Sequence, residues 1–363
     1  MTEVSRREFL RRSGVGAGGV LTVSSLSMLL AACGGDDEEE SGGGGASGGN
    51  AVNPKPKIGL SSSPQASYLP VIAGPIMAGS QFGLEMTRDD FTIYDSSTTL
   101  TQSTLSGQSD IAGQSTIAQL LLIDRGQPFK IFATYSLSDD FVIAGRGDIK
   151  TIAQLKDPGT VVASDSPGGA GQAVFDAMLK ASNAGFLVND IPKKIIVESS
   201  GERTSALASG DADATVIHIV QANAVDKETG DVNIIAQLYG EVPNFMKEAY
   251  AARTDWLDEN IETAAAVTAS VIQSSRDLLA SYEAFESASN ELMEEPPPAE
   301  ELQTLYEIIT EHDIFPEDGG ITDERLQYMI DLGLEGGVLE KELTPDEVFD
   351  RRPLERALEL LDS

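Results

Sequence analysis

Residues 101–115, TQSTLSGQSDIAGQS, and residues 202–218, ERTSALASGDADATVIH, follow one plan in two parts of the chain. In each stretch a leucine-containing helical segment ends at a glycine, and an aspartate then leads into a short apolar run. Glycine suits the left-handed conformation that ends a helix, and aspartate suits the turn that follows it. The repeat predicts two copies of a helix–turn–strand unit.

The sequence around these two stretches predicts an α/β fold. Short apolar runs alternate with helical stretches from Lys57 to Arg253, a pattern typical of βαβ units and largely parallel sheets. The predicted strands are Lys57–Leu60, Phe91–Tyr94, Asp110–Ala112, Lys130–Tyr135, Phe141–Gly145, Thr160–Ala163, Lys194–Glu198, Ala214–Ile219, Asn233–Leu238 and Ala249–Arg253. The main predicted helices between them are Leu69–Gly79, Thr98–Ser106, Thr116–Arg125, Gly171–Ala184, Glu202–Ser209 and Ile219–Val225.

Beyond Trp256 the pattern becomes almost purely helical and rich in Glu and Ala, with breaks at 294–298 (EEPPP) and 316–320 (PEDGG). Such a tail is expected to pack around the outside of a lobe. Its glutamate runs are expected to be solvated helix faces.

The N-terminus carries export signals. Residues 5–10, SRREFL, form a twin-arginine signature, and the apolar, glycine-rich run that follows is too short for a comfortable membrane span. Residues 30–34, LAACG, resemble a lipobox. We therefore predict a signal peptide over 1–32, a lipid anchor on Cys33, which is the single cysteine of the chain, and a disordered acidic and Gly/Ser-rich tether over 33–54.

The composition excludes several classes of function. The formal net charge of −33 argues against nucleic acid as a partner, because phosphate contacts need clustered Lys and Arg. The chain has two histidines, His218 and His312, without the spacing typical of a metal site, so we expect no metal and no cofactor. Neither a nucleophile elbow nor a P-loop is found, which favours binding over catalysis.

Small polar loops follow the predicted strands and precede helices. Their Ser and Thr residues could simply cap those helices, but a helix N-terminus also offers free N–H groups to a ligand. Ligands of open parallel sheets bind at the carboxyl ends of the strands. The candidate ligand-binding residues from these loops are Ser62, Ser63, Ser97, Thr98, Gln114, Ser115, Thr116, Ser166, Gly168, Gly169 and Ser200.

Six further residues complete the predicted ligand site. Tyr68, Tyr135 and Tyr239 could stack on a flat ring, and Asp139 or its neighbour Asp140 could meet an amine. Arg203 either meets an anion or faces solvent, and His218 is either a structural histidine at a strand end or a ligand contact.

Several segments, taken in order, resemble the NMT1/THI5-like family of bacterial substrate-binding proteins, the sulfonate, nitrate, taurine and thiamine-pyrimidine type. They are Thr104–Ala112, Asp124–Ala133, Thr151–Val162 and Gly201–Ala214, and the resemblance extends from residue 57 to about residue 361. It implies a type II periplasmic-binding-protein fold, with two α/β lobes, a ligand cleft between them and a helical C-terminal tail. It places lobe 1 with the tail at 55–142 plus 245–363, lobe 2 at 143–244, and crossover segments near Asp139–Ala144 and Glu241–Tyr250.

The resemblance implies a solute-binding component of an ABC importer that captures a small polar organic molecule or anion and closes its lobes on it. The expected partners are a small-molecule ligand, a permease with its ATPase, and the membrane through the lipid anchor. The protein is expected to be a monomer on the outer face of the cytoplasmic membrane. The alternatives are an enzyme on the same fold that acts on a pyrimidine or thiamine precursor, and a sensory ligand-binding protein.

Overall fold

The computed structural model describes residues 51–363, and the predicted signal peptide, the Cys33 anchor and most of the predicted tether lie outside them. None of the helices in the described range combines the length and the apolar character needed to cross a membrane. The strands within this range coincide with the predicted ones: β1 Ile58–Leu60, β2 Phe91–Ile93, β3 Ile111–Ser115, β4 Phe129–Ser136, β5 Phe141–Arg146, β6 Val162–Ser164, β7 Lys194–Ile196, β8 Ala214–His218, β9 Val232–Gln237 and β10 Glu248–Arg253.

The strands form two five-stranded sheets with the same plan. The first has the order β2-β1-β3-β10-β4 and the second the order β7-β6-β8-β5-β9. In each sheet four strands are parallel to one another and one strand, β10 or β5, is antiparallel to both of its neighbours. The sheets are therefore largely parallel, as predicted.

The reversed strands are the two that enter a sheet directly from the other sheet. Residues 137–140 connect β4 to β5, and residues 238–247 connect β9 back to β10. The other consecutive strands of each sheet are joined by helical connections, which keep them parallel, so the single antiparallel strand is the one that arrives from the other sheet. Strand β5 pairs in the second sheet from Phe141 onward. Phe141 and Val142, which the prediction assigned to lobe 1, therefore belong to the second sheet.

Helices cover the sheets and form the C-terminal tail. They are α1 Pro70–Ala73, α2 Ser97–Leu105, α3 Thr116–Asp124, α4 Ala170–Ala181, α5 Ser200–Ser209, α6 Ile219–Thr229, α7 Thr254–Glu259, α8 Ile261–Leu279, α9 Tyr282–Leu292, α10 Ala299–Glu311, α11 Asp323–Glu335, α12 Pro345–Val348 and α13 Arg352–Leu361.

The predicted helix over 69–79 is interrupted. A 3₁₀ turn at Ala66–Tyr68 precedes α1, and π and 3₁₀ turns follow it from Gly74 to Phe82. Pro75 lacks the N–H that a regular helix would use. A Cβ on Gly74 would lie 2.8 Å from the Val271 nitrogen of α8, so glycine permits this irregular segment to pack closely on the tail.

The chain is fixed to the folded body from its first described residues. The backbone N–H of Asn53 donates to Thr263 Oγ1 (2.8 Å), and the carbonyl of Pro54 accepts from Glu85 N (2.8 Å). Residues 53 and 54, which the sequence placed in the tether, are thus bound to α8 and to the segment before β2.

The C-terminal helical tail contacts helices of both lobes. In α11, Glu335 pairs with Lys180 of α4 at 2.9 Å, and the loop after α11 donates two backbone N–H groups to Asp124 of α3. One apolar cluster combines Ile131 of β4, Val216 of β8 and Ile330 of α11, all fully buried. The two sheets therefore share part of their hydrophobic core.

Replacing Ile330 by Ala should lower the free energy of unfolding by about 2–5 kcal/mol, because it removes buried methyl groups and leaves a cavity. Since the cluster is shared, fluorescence of Trp256, the single tryptophan, and far-UV circular dichroism should report one common transition during urea unfolding. Leu358→Ala on α13, whose side chain is exposed, is the control and should lose little. Two separate transitions, or a loss no larger than the control's, would contradict the shared core.

Candidate functional site

A cluster of buried charged side chains lies where the two crossovers meet the sheets. Asp139 and Asp140 come from the first crossover, Lys247 from the second, Glu248 from the start of β10, and His218 from the end of β8. We call these five residues the crossover cluster. The side chains of Glu248 and His218 are 13% and 11% exposed, whereas that of Asp139 is fully buried. Glu248 and His218 are thus the members that reach the surface.

Lys247 joins the two crossovers. Its ammonium donates to Asp139 Oδ2 and lies 3.7 Å from Glu248 Oε1. It also lies over two aromatic rings, 4.6 Å from the ring centre of Tyr68 and 5.5 Å from that of Phe141. Carboxylates and aromatic faces together replace the water that a buried ammonium loses.

His218 is oriented by the neighbouring aspartate. Its Nδ1 lies 2.5 Å from Asp140 Oδ1 and 3.9 Å from Asp139 Oδ1, and its ring packs on Phe141 with centroids 4.0 Å apart. An Nδ1–H there donates to Asp140, and the imidazole then directs Nε2 away from the carboxylates. Among the described residues, Nε2 has no hydrogen-bond partner.

Tyrosines of lobe 1 form the other wall of the cluster. The hydroxyl of Tyr135 donates to Glu248 Oε2 (3.2 Å), and that of Tyr68 donates to the Ser63 carbonyl (2.9 Å). The rings of Tyr68 and Tyr135 are 6.4 Å apart. The Tyr residues therefore hold Glu248 and the first loop in place while presenting apolar faces.

Two buried polar atoms beside the cluster have no hydrogen-bond partner among the described residues: Thr116 Oγ1 and Ser138 Oγ. Ser138 immediately precedes Asp139, and the Thr116 N–H donates to the Lys247 carbonyl (2.8 Å). Buried polar groups normally find a partner, so these atoms are candidates for ligand contacts.

The carboxyl groups of the cluster have different pKa values. Burial would raise the pKa of Asp139, but Lys247 and His218 outweigh it and hold that pKa well below its ordinary range. Burial raises the pKa of Asp140 and of Glu248 despite their cationic neighbours. Burial would lower the pKa of His218, but Asp140 and Asp139 raise it above its ordinary value.

These shifts have opposite consequences for stability. The contribution of Asp139 is present above its unfolded pKa of ~3.9 and is lost as the pH falls through its lower folded pKa. The contribution of His218 is present below ~6.5 and is lost as the pH rises through its raised folded pKa. The raised pKa values of Asp140 and Glu248 act in the same direction as that of His218.

Asp139, Asp140 and His218 also bring one ligand atom each within 4.8 Å of one another, close enough for a metal ion. His218 and Lys247 already contact the two carboxylates, so ion pairs account for the charges of these side chains. The expectation of no metal stays a prediction.

The loop before α4 encloses an internal carboxylate. Asp165 accepts from the backbone N–H of Ser166 (2.7 Å) and of Gly171 (2.9 Å). The predicted ligand residues Ser166, Gly168 and Gly169 are half-buried around it. Gly168 has a φ of +82°, which only glycine adopts without strain. The N-terminus of α4 is thus occupied by the chain's own anion.

Arg203 is buried, not solvent-facing. Its guanidinium donates to the carbonyls of Val216 (2.8 Å), Val197 (2.9 Å) and Glu198 (2.7 Å). These bonds tie α5 to the ends of β7 and β8. The structure therefore gives Arg203 a role in the fold. These bonds use Nε and Nη1, and the anion contact stays a prediction.

Four other predicted residues lie on the rims of the two lobes. Ser200 is half-buried, and its Oγ accepts from Gln221 Nε2 at 3.4 Å. Ser97 and Thr98 begin α2, which is capped by the preceding residue, Ser96. Tyr239 is buried with its ring 5.2 Å from that of His312. None of these four hydrogen-bonds to a side chain of the crossover cluster among the described residues, although burial and then the nearby Asp140 raise the pKa of Tyr239.

A separate pocket of about 760 Å³ lies on lobe 1 and includes Ser63 of the first loop. Its floor is apolar, with Ile76, Ile93 and Met293, and Arg88 pairs with Glu294 at its rim (3.7 Å). No residue of the second sheet lines it, so a ligand held by both lobes would not lie there.

Of the predicted residues, the structure brings Tyr68, Tyr135, Asp139 and His218 into one cluster, with Ser62 next to Tyr68 (3.2 Å between hydroxyls) and the buried Gln114, Ser115 and Thr116 on the adjoining strand end. Sequence reasoning missed Lys247 and Glu248. They lie inside the predicted second crossover, Glu241–Tyr250, so a charged pair within that segment was the available signal.

Replacing Lys247 by Met should cost about 3–5 kcal/mol of stability at neutral pH, because it leaves Asp139 as an unpaired buried charge. The double variant Lys247→Met/Asp139→Asn should lose less, since the orphaned charge is then gone. Urea unfolding measures both, with Lys193→Met, an exposed lysine, as the control. The deficit of Lys247→Met should shrink as the pH falls, because Asp139 without its partner protonates more readily. Equal losses in the single and double variants would contradict the ion pair.

Comparisons with known proteins agree with this architecture. Similar solved structures include a putative sulfonate ABC transporter's periplasmic sulfonate-binding protein from Methylobacillus flagellatus KT, with TM-score 0.63, 17% identity, and coverage of 86% of this chain and 96% of that chain. The periplasmic nitrate-binding protein of Synechocystis PCC 6803 gives TM-score 0.61, 16% identity, and coverage of 86% and 90%. A Candida albicans protein with the generic periplasmic binding protein fold gives TM-score 0.59, 17% identity, and coverage of 84% and 94%.

These likenesses establish the fold as that of periplasmic binding proteins. No curated protein sequence matches the chain. The family model for NMT1/THI5-like proteins matches residues 90–283, just over half of the chain and the part that contains both crossovers. The chain therefore belongs to the NMT1/THI5-like family.

Proposed function

We propose that the protein is the extracytoplasmic solute-binding component of an ABC importer. It captures a small polar molecule in the cleft between its two lobes and delivers the molecule to a permease. The observation that carries the proposal is the crossover cluster, where side chains of both sheets and both crossovers converge on one buried, polar place.

The position of the cluster suits binding by closure. Two lobes joined by two short crossovers move as rigid bodies about those segments. A ligand between them would meet Glu248 and the tyrosines from lobe 1 and His218 from lobe 2. Because groups from both lobes are needed for full contact, such a ligand stabilises the closed arrangement.

The unpartnered polar atoms beside the cluster support binding in place of a purely structural role. A ligand that hydrogen-bonds to Thr116 Oγ1 or Ser138 Oγ would remove the cost of leaving them buried and unpaired. The half-buried Ser166 and Ser200 lie on loops of lobe 2 at strand ends, where binding proteins of this topology place further contacts.

The same proposal includes the route to the membrane. The twin-arginine signature at 5–10 and the lipobox around Cys33 would export the protein and anchor it on the outer face of the cytoplasmic membrane. The family's sulfonate- and nitrate-binding relatives suggest a permease and an ATPase as partners.

The first experiment identifies what the protein carries and tests whether the cluster holds it. Small molecules released by denaturing the purified protein are identified by mass spectrometry and added back. A molecule that binds the native state alone should stabilise it by about 2.7 kcal/mol at a hundredfold excess over Kd. His218→Ala should weaken binding at least about tenfold, a loss of about 1.4 kcal/mol.

Ser205→Ala is the matched control, because Ser205 is exposed on the far turn of α5 and bonds only to the Gly201 carbonyl. Unchanged affinity in His218→Ala, Ser166→Ala and Ser200→Ala together would reject this site. Turnover of the molecule during the assay would favour the enzyme alternative, and normal uptake in cells lacking the protein would favour the sensory one.

A further inference from the structure

The crossover cluster has more acidic than basic groups. Asp139, Asp140 and Glu248 contribute three carboxyl groups, against one ammonium on Lys247 and one imidazole on His218. With all three carboxyls ionised, one negative charge is left over when His218 is protonated. Burial raises the pKa of Asp140 and of Glu248, and a cation beside them would favour their ionised forms. A monoanion entering this buried place would add to that excess, and a cation would offset it.

The basic groups of the cluster are already engaged. Lys247 is enclosed by Asp139, Glu248 and two aromatic rings, and its side chain is 5% exposed. Its ammonium is therefore the internal partner of these carboxylates, with no face turned to the cleft. His218 gives its Nδ1 to Asp140 and retains one nitrogen, Nε2, for a ligand.

Two other places that could receive an anion already have partners within the chain. Arg203, the buried arginine of lobe 2, gives Nε and Nη1 to three backbone carbonyls, and the Asp165 carboxyl group lies near its charge. The N-terminus of α4, where free N–H groups would attract an anionic ligand, binds the carboxylate of Asp165 instead.

The polar atoms of the cluster that have no hydrogen-bond partner in the described part of the chain suit a cation. Asp140 uses one oxygen for His218, and its Oδ2 has no hydrogen-bond partner among the described residues. Ser138 Oγ, adjacent to Asp139 in the chain, is a buried polar atom without a partner among the described residues.

We infer that the cleft selects an organic cation, a small molecule with a protonated amine or protonated ring nitrogen, over a sulfonate or nitrate anion. This inference rests on the proposed binding function and narrows its ligand class. The carboxyl groups of the cluster supply the charge, and Nε2 of His218 meets a second polar group of the ligand.

Matched pairs of probes with opposite charge test the inference. Propylamine and propanesulfonate form one pair, benzylamine and phenylmethanesulfonate another, and nitrate is added alone. Thermal shift and isothermal titration at neutral pH and constant ionic strength compare them at equal concentration. At least one amine should raise Tm and bind about tenfold or more tightly than its sulfonate partner. A sulfonate or nitrate that binds more tightly than the amines, or no amine binding at all, would overturn the inference.

Charge-removing variants then locate the effect. Glu248→Gln keeps the size of the side chain and should weaken amine binding at least about tenfold, a change of about 1.4 kcal/mol. Asp140→Asn should do the same. Asp157→Asn, at an exposed site on lobe 2, should leave amine binding unchanged. Amine binding that survives both cluster variants would also overturn the inference, and circular dichroism confirms that each variant is folded.

The outcomes separate the ligand class from the function. Binding of sulfonates or nitrate, lost in His218→Ala, would leave the binding protein in place and reject only the cation. Absence of binding by either class, together with no small molecule released from the purified protein, would reject both.

Discussion

The ion pair between Asp139 and Lys247 is the interaction on which the rest of the site depends. It joins the first crossover to the second, and these are the two connections between the sheets. Charges this deeply buried are tolerated only when paired, so the pair fixes how the crossovers lie side by side. Glu248 and Asp140, each adjacent to one member, are positioned as a consequence, and Asp140 in turn orients His218.

The same constraint links stability to recognition. The core shared by the sheets and α11 holds the two lobes together on one side, and the crossovers do so beside the cluster. A ligand at Glu248 and His218 therefore lies next to the segments about which the lobes move. Closure and binding would then be coupled through a few residues, with no long pathway between them.

Much of the fold could be predicted from the sequence because it depends on local patterns. The glycine–aspartate repeat placed α2 with β3 and α5 with β8, and apolar runs placed the other strands. The irregular segment from Ala66 to Phe82 could not be predicted, since it arises where Gly74 packs against α8, far away in sequence.

The site was predictable only in part, for the same physical reason. Asp139 and His218 stood out as a charged residue in a crossover and a histidine at a strand end. Lys247 and Glu248 did not, because a Lys–Glu pair in a loop is ordinarily solvated and only the three-dimensional packing buries it. Arg203 shows a different case: its position one turn into a helix left an anion contact and a solvent-facing side chain open, whereas the fold buries it and directs Nε and Nη1 to three carbonyls.

Two similar structures are described as sulfonate- and nitrate-binding proteins, whereas the crossover cluster of this chain has three carboxyl groups against Lys247 and His218. Shared fold and family therefore leave the ligand open, and the charge of the crossover cluster becomes the distinguishing feature. The most direct measurement is a crystal structure of the protein with the ligand it retains on purification. The account predicts that molecule between the sheets, within hydrogen-bond distance of His218 Nε2 and of Glu248 or Asp140. A molecule held in the lobe 1 pocket beside Ile93 and Met293, with the cluster untouched, would contradict it.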